Sequence, residues 1–264
     1  MIPYFVQPSL HLFGPFTIHG WGVAVCTGIL LGTYVAAKRA ETLGLDPDVV
    51  NDYGVWAVVS GFIGAHIVET VFYETDAFLK NPLEILKIWQ GFSSYGGFIG
   101  TFVGTLIFRR VRKIRFLDYA DSIALGMAPA WMFGRIGCFM AHDHLGIHSN
   151  SFLAVKFPDG GRFDLGLLEA LLSAGLTLLM MSMRNVKGRG VSAGTLMFAY
   201  SLARFFLDFL RIGDTTYFGL TPAQYGTFLI GGLGVWMVVR ARRELVNDPE
   251  AAKLRTLPAP ASAA

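Results

Sequence analysis

The sequence predicts an all-α membrane protein: a bundle of seven transmembrane helices, N-terminus outside and C-terminus cytoplasmic. Three observations predict it. Hydrophobic residues make up 53% of the 264 positions and charged residues only 16%, against about 25% charged in a soluble domain. Seven stretches are apolar over most of the ~20 residues that cross about 30 Å of hydrocarbon. Lysine and arginine then gather in every second connection, which fixes the orientation. The same arithmetic excludes a cytosolic enzyme, a secreted disulfide scaffold and a disordered chain. Cys26 and Cys138 both lie in apolar runs, so neither a disulfide framework nor a zinc site is indicated.

The expected spans are 18–37, 52–72, 95–109, 119–140, 163–183, 193–211 and 223–240, inside one domain over 1–245. A disordered cytoplasmic tail follows over 246–264. Asp46-Pro47 reads as an N-cap with proline at the first helical position, which starts the second span. The third span is short and carries Gly96, Gly97, Gly100 and Gly104, small residues that let helix backbones approach closely. Basic residues fall at Lys38-Arg39, at 109–115, at 184–189 and after Arg240. With seven spans, all four groups lie on the cytoplasmic side. The 109–115 cluster is a topology determinant, and nothing in it points to nucleic acid. Trp56, Trp89, Trp131 and Trp236 suit packing or anchoring at the membrane boundary.

Charges that remain inside the spans mark the candidate site. A charge at the bilayer centre costs about 2.5–3.5 kcal/mol on insertion scales, so each needs a partner or a wet cavity. Arg135, Arg204 and Arg211 meet that condition, as do Glu69, Glu169 and Asp208, with His66 beside them. All fall in the outer halves of four spans. Arg204, Asp208 and Arg211 stand at i, i+4 and i+7, on one face of the sixth span. Two readings follow: a self-neutralising network that glues helices together, or a pocket for an anionic lipid gripped by arginine forks.

The fourth span ends in Gly134-Arg135-Ile136-Gly137-Cys138-Phe139-Met140-Ala141-His142-Asp143-His144-Leu145-Gly146. This resembles the Gly-Arg-x-Gly-Asn-Phe-x-Asn-x-Glu-x-x-Gly signature of prolipoprotein diacylglyceryl transferases. Ile18-His19-Gly20-Trp21-Gly22, Ser94-Tyr95-Gly96-Gly97-Phe98-Ile99-Gly100, Phe157-Pro158 with Leu167-Leu168-Glu169, and Ala203-Arg204 to Arg211 resemble further segments of that family, in the same order. Some positions depart from the pattern. Tyr95 stands for a histidine, Cys138 and Ala141 for two asparagines, and Trp21 for a tyrosine, while Asp143 and Asp208 shorten two glutamates.

The resemblance implies transfer of the diacylglyceryl group from phosphatidylglycerol to the lipobox cysteine thiol of a preprolipoprotein, with glycerol phosphate leaving. Arg135 and Arg204 would hold the phosphate, and Asp208, Glu169, His66, Gly96, Gly97 and Gly146 would line the substrate site. Such a reaction needs cations against the departing phosphate and a base for a thiol whose reference pKa is about 8.5. Tyr95 replaces the family's candidate base with a phenol of reference pKa about 10, though its hydroxyl can still orient phosphate or thiol. His142, Asp143 and His144, just outside Arg135, are the alternative, with Asp143 orienting one ring. A solvated turn is the plainer reading of that triplet. A metal held by His142-Asp143-His144 with His148 is disfavoured because adjacent residues alternate in direction, and no metal or other cofactor is expected. The expected partners are phosphatidylglycerol, the lipobox peptide and membrane lipid, at the outer face of a bacterial inner membrane. A lipid- or lipoprotein-binding relative without transfer, and a small-anion transporter, are the other classes.

Overall fold

The computed structural model describes residues 1–13, 16–88, 91–186, 188–213, 215–250 and 253. Trp89, Lys187 and most of the expected tail lie outside the described residues. The helices in chain order are α1 (Gly20–Thr42), α2 (Pro47–Val68), α3 (Thr75–Lys80), α4 (Ser94–Val111), α5 (Phe116–Ala141), α6 (Leu165–Ser182), α7 (Val191–Leu207) and α8 (Pro222–Asn247). Six helical segments among the described residues are long and apolar enough to cross a membrane, from Gly20–Thr42 through Pro222–Asn247. The expected third span, α4, is 18 residues long and is not among them. Its glycines and its terminal Arg109-Arg110 hold its mean hydropathy down. The chain is therefore a helical, multi-pass membrane protein.

Two compact units divide the chain. Asp46–Phe116 forms the smaller one. Here the Asp46 side chain accepts the Asp48 N–H at 2.9 Å and Pro47 opens α2, as the sequence predicts. Along the α2–α4 contact, a Cβ on Gly96 would strike the Gly64 carbonyl oxygen, and one on Gly100 the Ser60 carbonyl oxygen. The glycine stripe thus sets helix separation. Beyond Val68 the chain loosens into a π-type turn over Glu69–Tyr73.

The larger unit joins Met1–Leu45 to Leu117–Ala264. Gly28 and Gly32 of α1 meet Ala130 and Gly126 of α5, and Gly194 of α7 meets Gly234 of α8. At one end, Asp121 of α5 accepts the Gly190 and Ala193 N–H groups at the start of α7, both at 2.9 Å. Arg189 there pairs with Asp118 and Glu244.

The other end of this unit carries β-structure where the sequence predicts outer loops. Strands β1 (Ile2–Pro3), β4 (Leu145–His148), β5 (Val155–Phe157) and β6 (Gly160–Asp164) form one sheet in the order β1-β5-β6-β4. A separate hairpin pairs β2 (Ser9–Phe13) with β3 (Phe16–His19). Ile2 pairs in parallel with Val155, and β6 lies antiparallel to both β5 and β4. The β5–β6 turn runs through Pro158-Asp159-Gly160, where Gly160 at φ +124° takes a backbone that a side chain would strain. Asp164 closes β6 and caps α6, its Oδ1 accepting the Leu167 N–H at 3.3 Å.

Candidate functional site

The site is built from three helices and one cap of the larger unit. Arg135 lies near the end of α5, Glu169 one turn into α6, and Arg204 near the end of α7. The Asp164 cap fixes where α6 begins, which puts Glu169 level with the end of α5. Glu169 is fully buried and serves both arginines. Its Oε2 lies 3.0 Å from Arg135 Nε and its Oε1 3.1 Å from Arg204 Nη1. Arg204 Nη2 reaches Asp208 Oδ1 at 2.8 Å, the i, i+4 pair that the sequence spacing predicts. Asp208 in turn accepts from the Thr221 hydroxyl at the head of α8, where Thr221 and Gln224 form a capping box.

Several of these contacts are ion pairs rather than well-directed hydrogen bonds. Glu169 Oε1, Arg204 Nη1 and Asp208 Oδ1 are all buried without a properly oriented partner. Buried polar atoms without well-directed partners are uncommon, and here all three belong to the two ion pairs of Arg204. Tyr200 completes the floor. Its hydroxyl donates to Glu169 Oε2 at 3.2 Å, and its ring meets Trp131 edge-on at 5.7 Å. Trp131 also lies under the Arg135 guanidinium, 5.2 Å from centroid to carbon, a cation–π contact.

The other edge of Arg135 faces a small polar group. Its Nη1 stands 3.7 Å from Cys138 Sγ and 3.4 Å from His144 Nε2. His144 Nδ1 lies 2.6 Å from Asp143 Oδ1. Cys138, Asp143 and His144 offer ligand atoms that all lie within 4.8 Å of one another. Burial would raise the Asp143 carboxyl, but His144, the Cys138 thiol and Arg135 together hold it below its ordinary value.

His142 occupies a different place from the one the sequence suggests. It follows the last residue of α5 at φ +52°, the left-handed position that often ends a helix. That reversal turns its ring inward. Nδ1 lies 2.6 Å from Asp164 Oδ2 and Nε2 3.1 Å from the Phe5 carbonyl oxygen. Tyr4, Phe5, Phe139 and Phe157 surround it. Both ring nitrogens are engaged, so His142 ties the N-terminal segment to α5 and has no free nitrogen to act as a base. Burial pushes the Asp164 carboxyl up, with the His142 hydrogen bond opposing.

The remaining expected residues divide by unit. Gly146, in β4, is buried where a Cβ would press on Leu165, the Phe163 carbonyl and the Leu210 carbonyl, so close packing accounts for it. Arg211 leaves the expected helix face, because α7 tightens into a 3-10 turn over Asp208–Leu210, and Arg211 bridges to Gly146 instead. In the smaller unit, His66 is buried with Nε2 3.0 Å from the Ile85 carbonyl oxygen. Tyr95 opens α4 and is half exposed. Gly96 is fixed by helix packing, whereas a Cβ on Gly97 would meet only ordinary contacts. Tyr200 and Asp164 were missed. Tyr200 lies four residues before Arg204, on the same helix face, and that spacing could have found it; no local signal ties Asp164 to His142.

A family model described as prolipoprotein diacylglyceryl transferase matches residues 8–240. The chain belongs to that family. Among its relatives, the phosphatidylglycerol–prolipoprotein diacylglyceryl transferase of Rhizobium leguminosarum bv. trifolii is 31% identical over 90% of this chain and 93% of its own length. The protein of the same name from Agrobacterium fabrum is 30% identical, over 90% and 92%. That of Idiomarina loihiensis is 29% identical, over 91% and 95%.

Proposed function

We infer that this chain moves the diacylglyceryl group of phosphatidylglycerol to the thiol of a lipobox cysteine in a preprolipoprotein. In this reading the reaction runs at the outer face of a bacterial inner membrane, with α4 as a seventh span, the N-terminus outside and the C-terminus cytoplasmic. The basic residues on alternate connections support that orientation. The observation that carries the activity is the convergence of Arg135 and Arg204, from different helices, on the single buried carboxylate of Glu169.

Arg135 is the phosphate ligand. Glu169 holds its Nε, which aims the rest of the guanidinium away from the ion pair, and Trp131 fixes the plane of the fork. Arg204 lies between Glu169 and Asp208, and its main task is to hold Glu169 in place. As the carbon–oxygen bond breaks, negative charge grows on the phosphate, and a preorganised cation in a dry setting stabilises that charge. The acceptor thiol needs to lose a proton. His144 fits this need better than His142: Nδ1–H donates to Asp143, and the long 3.4 Å contact of Nε2 with Arg135 Nη1 gives way to a thiol more readily than the tight contacts that lock the His142 ring. Asp143 is then a positioning residue. The roles that the resemblance gives Tyr95, His66, Gly96 and Gly97 lie in the 46–116 unit and form no part of this assignment.

One observation favours a second reading, a lipid- or lipoprotein-binding relative without transfer. The two arginines face two carboxylates, so the cluster is balanced before any phosphate arrives. Complementation separates the two. Rescue of a host lacking its own diacylglyceryl transferase, lost on Arg135→Ala while the protein still reaches the membrane, supports transfer; absence of rescue by the wild-type chain supports binding alone.

A further inference from the structure

About 21 Å of helix rise separates Arg135 from Asp121, near the opposite end of α5. There the larger unit carries a cavity of about 420 Å³, within the roughly 300–1,000 Å³ usual for small-ligand sites. Arg39, Arg184, Arg189 and Lys253 line it together with Asp118 and Asp121, so cations exceed carboxylates by two. We propose that this cavity is a second anion site, which binds a phosphate group through Arg39 and Arg184. The phosphate is carried by an anionic lipid headgroup or is free in solution. The proposal stands apart from the transferase reading, from which it takes only the assignment of this end to the cytoplasm.

Most of the lining charges are already engaged. Arg189 Nη1 faces Asp118 at 3.4 Å and Nη2 faces Glu244 at 2.9 Å. Asp121 accepts two N–H groups at the start of α7, so that helix end is not what draws the anion. Lys253 pairs with Glu250 at 2.6 Å. Arg39 and Arg184 differ. Arg39 Nη1 donates to the Thr42 hydroxyl at 3.3 Å, and its Nη2 donates to the Arg184 carbonyl oxygen. Among the described residues, no carboxylate stands at ion-pair distance from either guanidinium. Asp121 attracts Arg39 from further off, and Arg184 is close enough to repel it. Arg189 adds a buried Nε without an acceptor.

Two like charges held side by side destabilise the fold, and an anion between them offsets that repulsion. Phosphate suits the pair, because each guanidinium presents parallel N–H donors to two oxygens at once. Position supplies the lipid source. Arg39 lies in the last turn of α1 and Arg184 just past the end of α6. Both helices are long and apolar enough to cross a membrane. Basic side chains at that level meet the anionic headgroups of the cytoplasmic leaflet.

The test uses the full chain in detergent and two probes. Inorganic phosphate is titrated against chloride of matched ionic strength, with melting temperature as the readout. Phosphatidic acid is offered as a lipid, and its adducts are followed by native mass spectrometry. Both probes are run on the wild-type chain and on Arg135→Ala, which removes the phosphate ligand of the outer cluster. Binding should persist in Arg135→Ala. Adding Arg184→Gln, an exposed change that breaks no ion pair, should weaken it roughly 10- to 100-fold, the worth of a charge-assisted hydrogen bond. Adding Arg39→Gln as well should abolish it. A rise in melting with phosphate assigns the site to a free anion, and phosphatidic acid adducts without that rise assign it to a lipid headgroup. No binding of either probe by the folded wild-type chain overturns the proposal. So does binding that vanishes with Arg135→Ala alone, or that survives the loss of both Arg39 and Arg184 in that background.

Discussion

Arg135 Nε and Glu169 Oε2 stand 3.0 Å apart, with Glu169 fully buried. That one carboxylate sets the position of the arginine on which the site depends, and it also holds Arg204. Glu169→Ala leaves two guanidiniums without their shared partner. Removing one member of a buried pair costs about 3–5 kcal/mol, so this variant should melt markedly lower in detergent. Glu169→Gln keeps the shape and an acceptor oxygen. It should recover much of the stability while transfer stays depressed, because the amide no longer compensates both charges. Thermal unfolding and transfer, measured on both variants, check this.

Arg135 and Arg204 should respond differently to truncation. Arg135→Ala is expected to lower transfer by about 10²–10³-fold, the usual loss on removing one preorganised donor to a developing anion, with a fall in melting smaller than that of Glu169→Ala because Glu169 keeps Arg204. Arg204→Ala takes one partner from each of two buried carboxylates, Asp208 and Glu169, so its defect should appear first as lost stability. Arg135→Lys should not restore full transfer, since lysine lacks the planar fork. Rates and melting temperatures for the three variants test the division of labour.

The His142 ring is an anchor. His142→Ala removes the partner of Asp164 Oδ2, 2.6 Å away, and opens the aromatic cage around the ring. Asp164 keeps the Leu167 N–H on Oδ1, and losing the partner of its buried Oδ2 costs about 1–3 kcal/mol. Melting should fall, while transfer per folded molecule at low temperature should stay near that of the wild type. A pure loss of rate at unchanged stability would return His142 to the chemistry.

Gly96→Ala should disrupt the smaller unit. The added methyl would collide with the Gly64 carbonyl oxygen and press on Val68, and backbone atoms cannot swing aside as a side chain can. Gly97→Ala, where a Cβ would find only ordinary contacts, is the control. Protease sensitivity of the 46–116 region should rise in the first variant and not in the second.

Particular residues show how far the sequence could be read. The Arg204–Asp208 pair was legible, because residues four apart on a helix share a face. Asp46-Pro47 was legible as a helix start for the same kind of local reason. The link from Arg135 to Glu169 was legible only as two charges that could not stand alone in an apolar span. Arg211 was misplaced because periodicity cannot foresee a helix tightening at Asp208. The sheet around 145–164 was missed because its strands span only three to five residues. Its first strand, Ile2–Pro3, joins from the opposite end of the chain. His142 was misread for a related reason: its partners, Phe5 and Asp164, are brought to it by that sheet and by the left-handed turn after α5.

The most direct measurement is a reconstituted reaction. The purified chain in phosphatidylglycerol vesicles is incubated with a peptide bearing a lipobox cysteine, and the peptide is weighed by mass spectrometry. The wild-type chain should add one diacylglyceryl group in thioether linkage, and Arg135→Ala should leave the peptide unmodified over the same period. An Arg135→Ala chain that modifies the peptide as fast as the wild type, or a folded wild-type chain that never modifies it, would contradict the account.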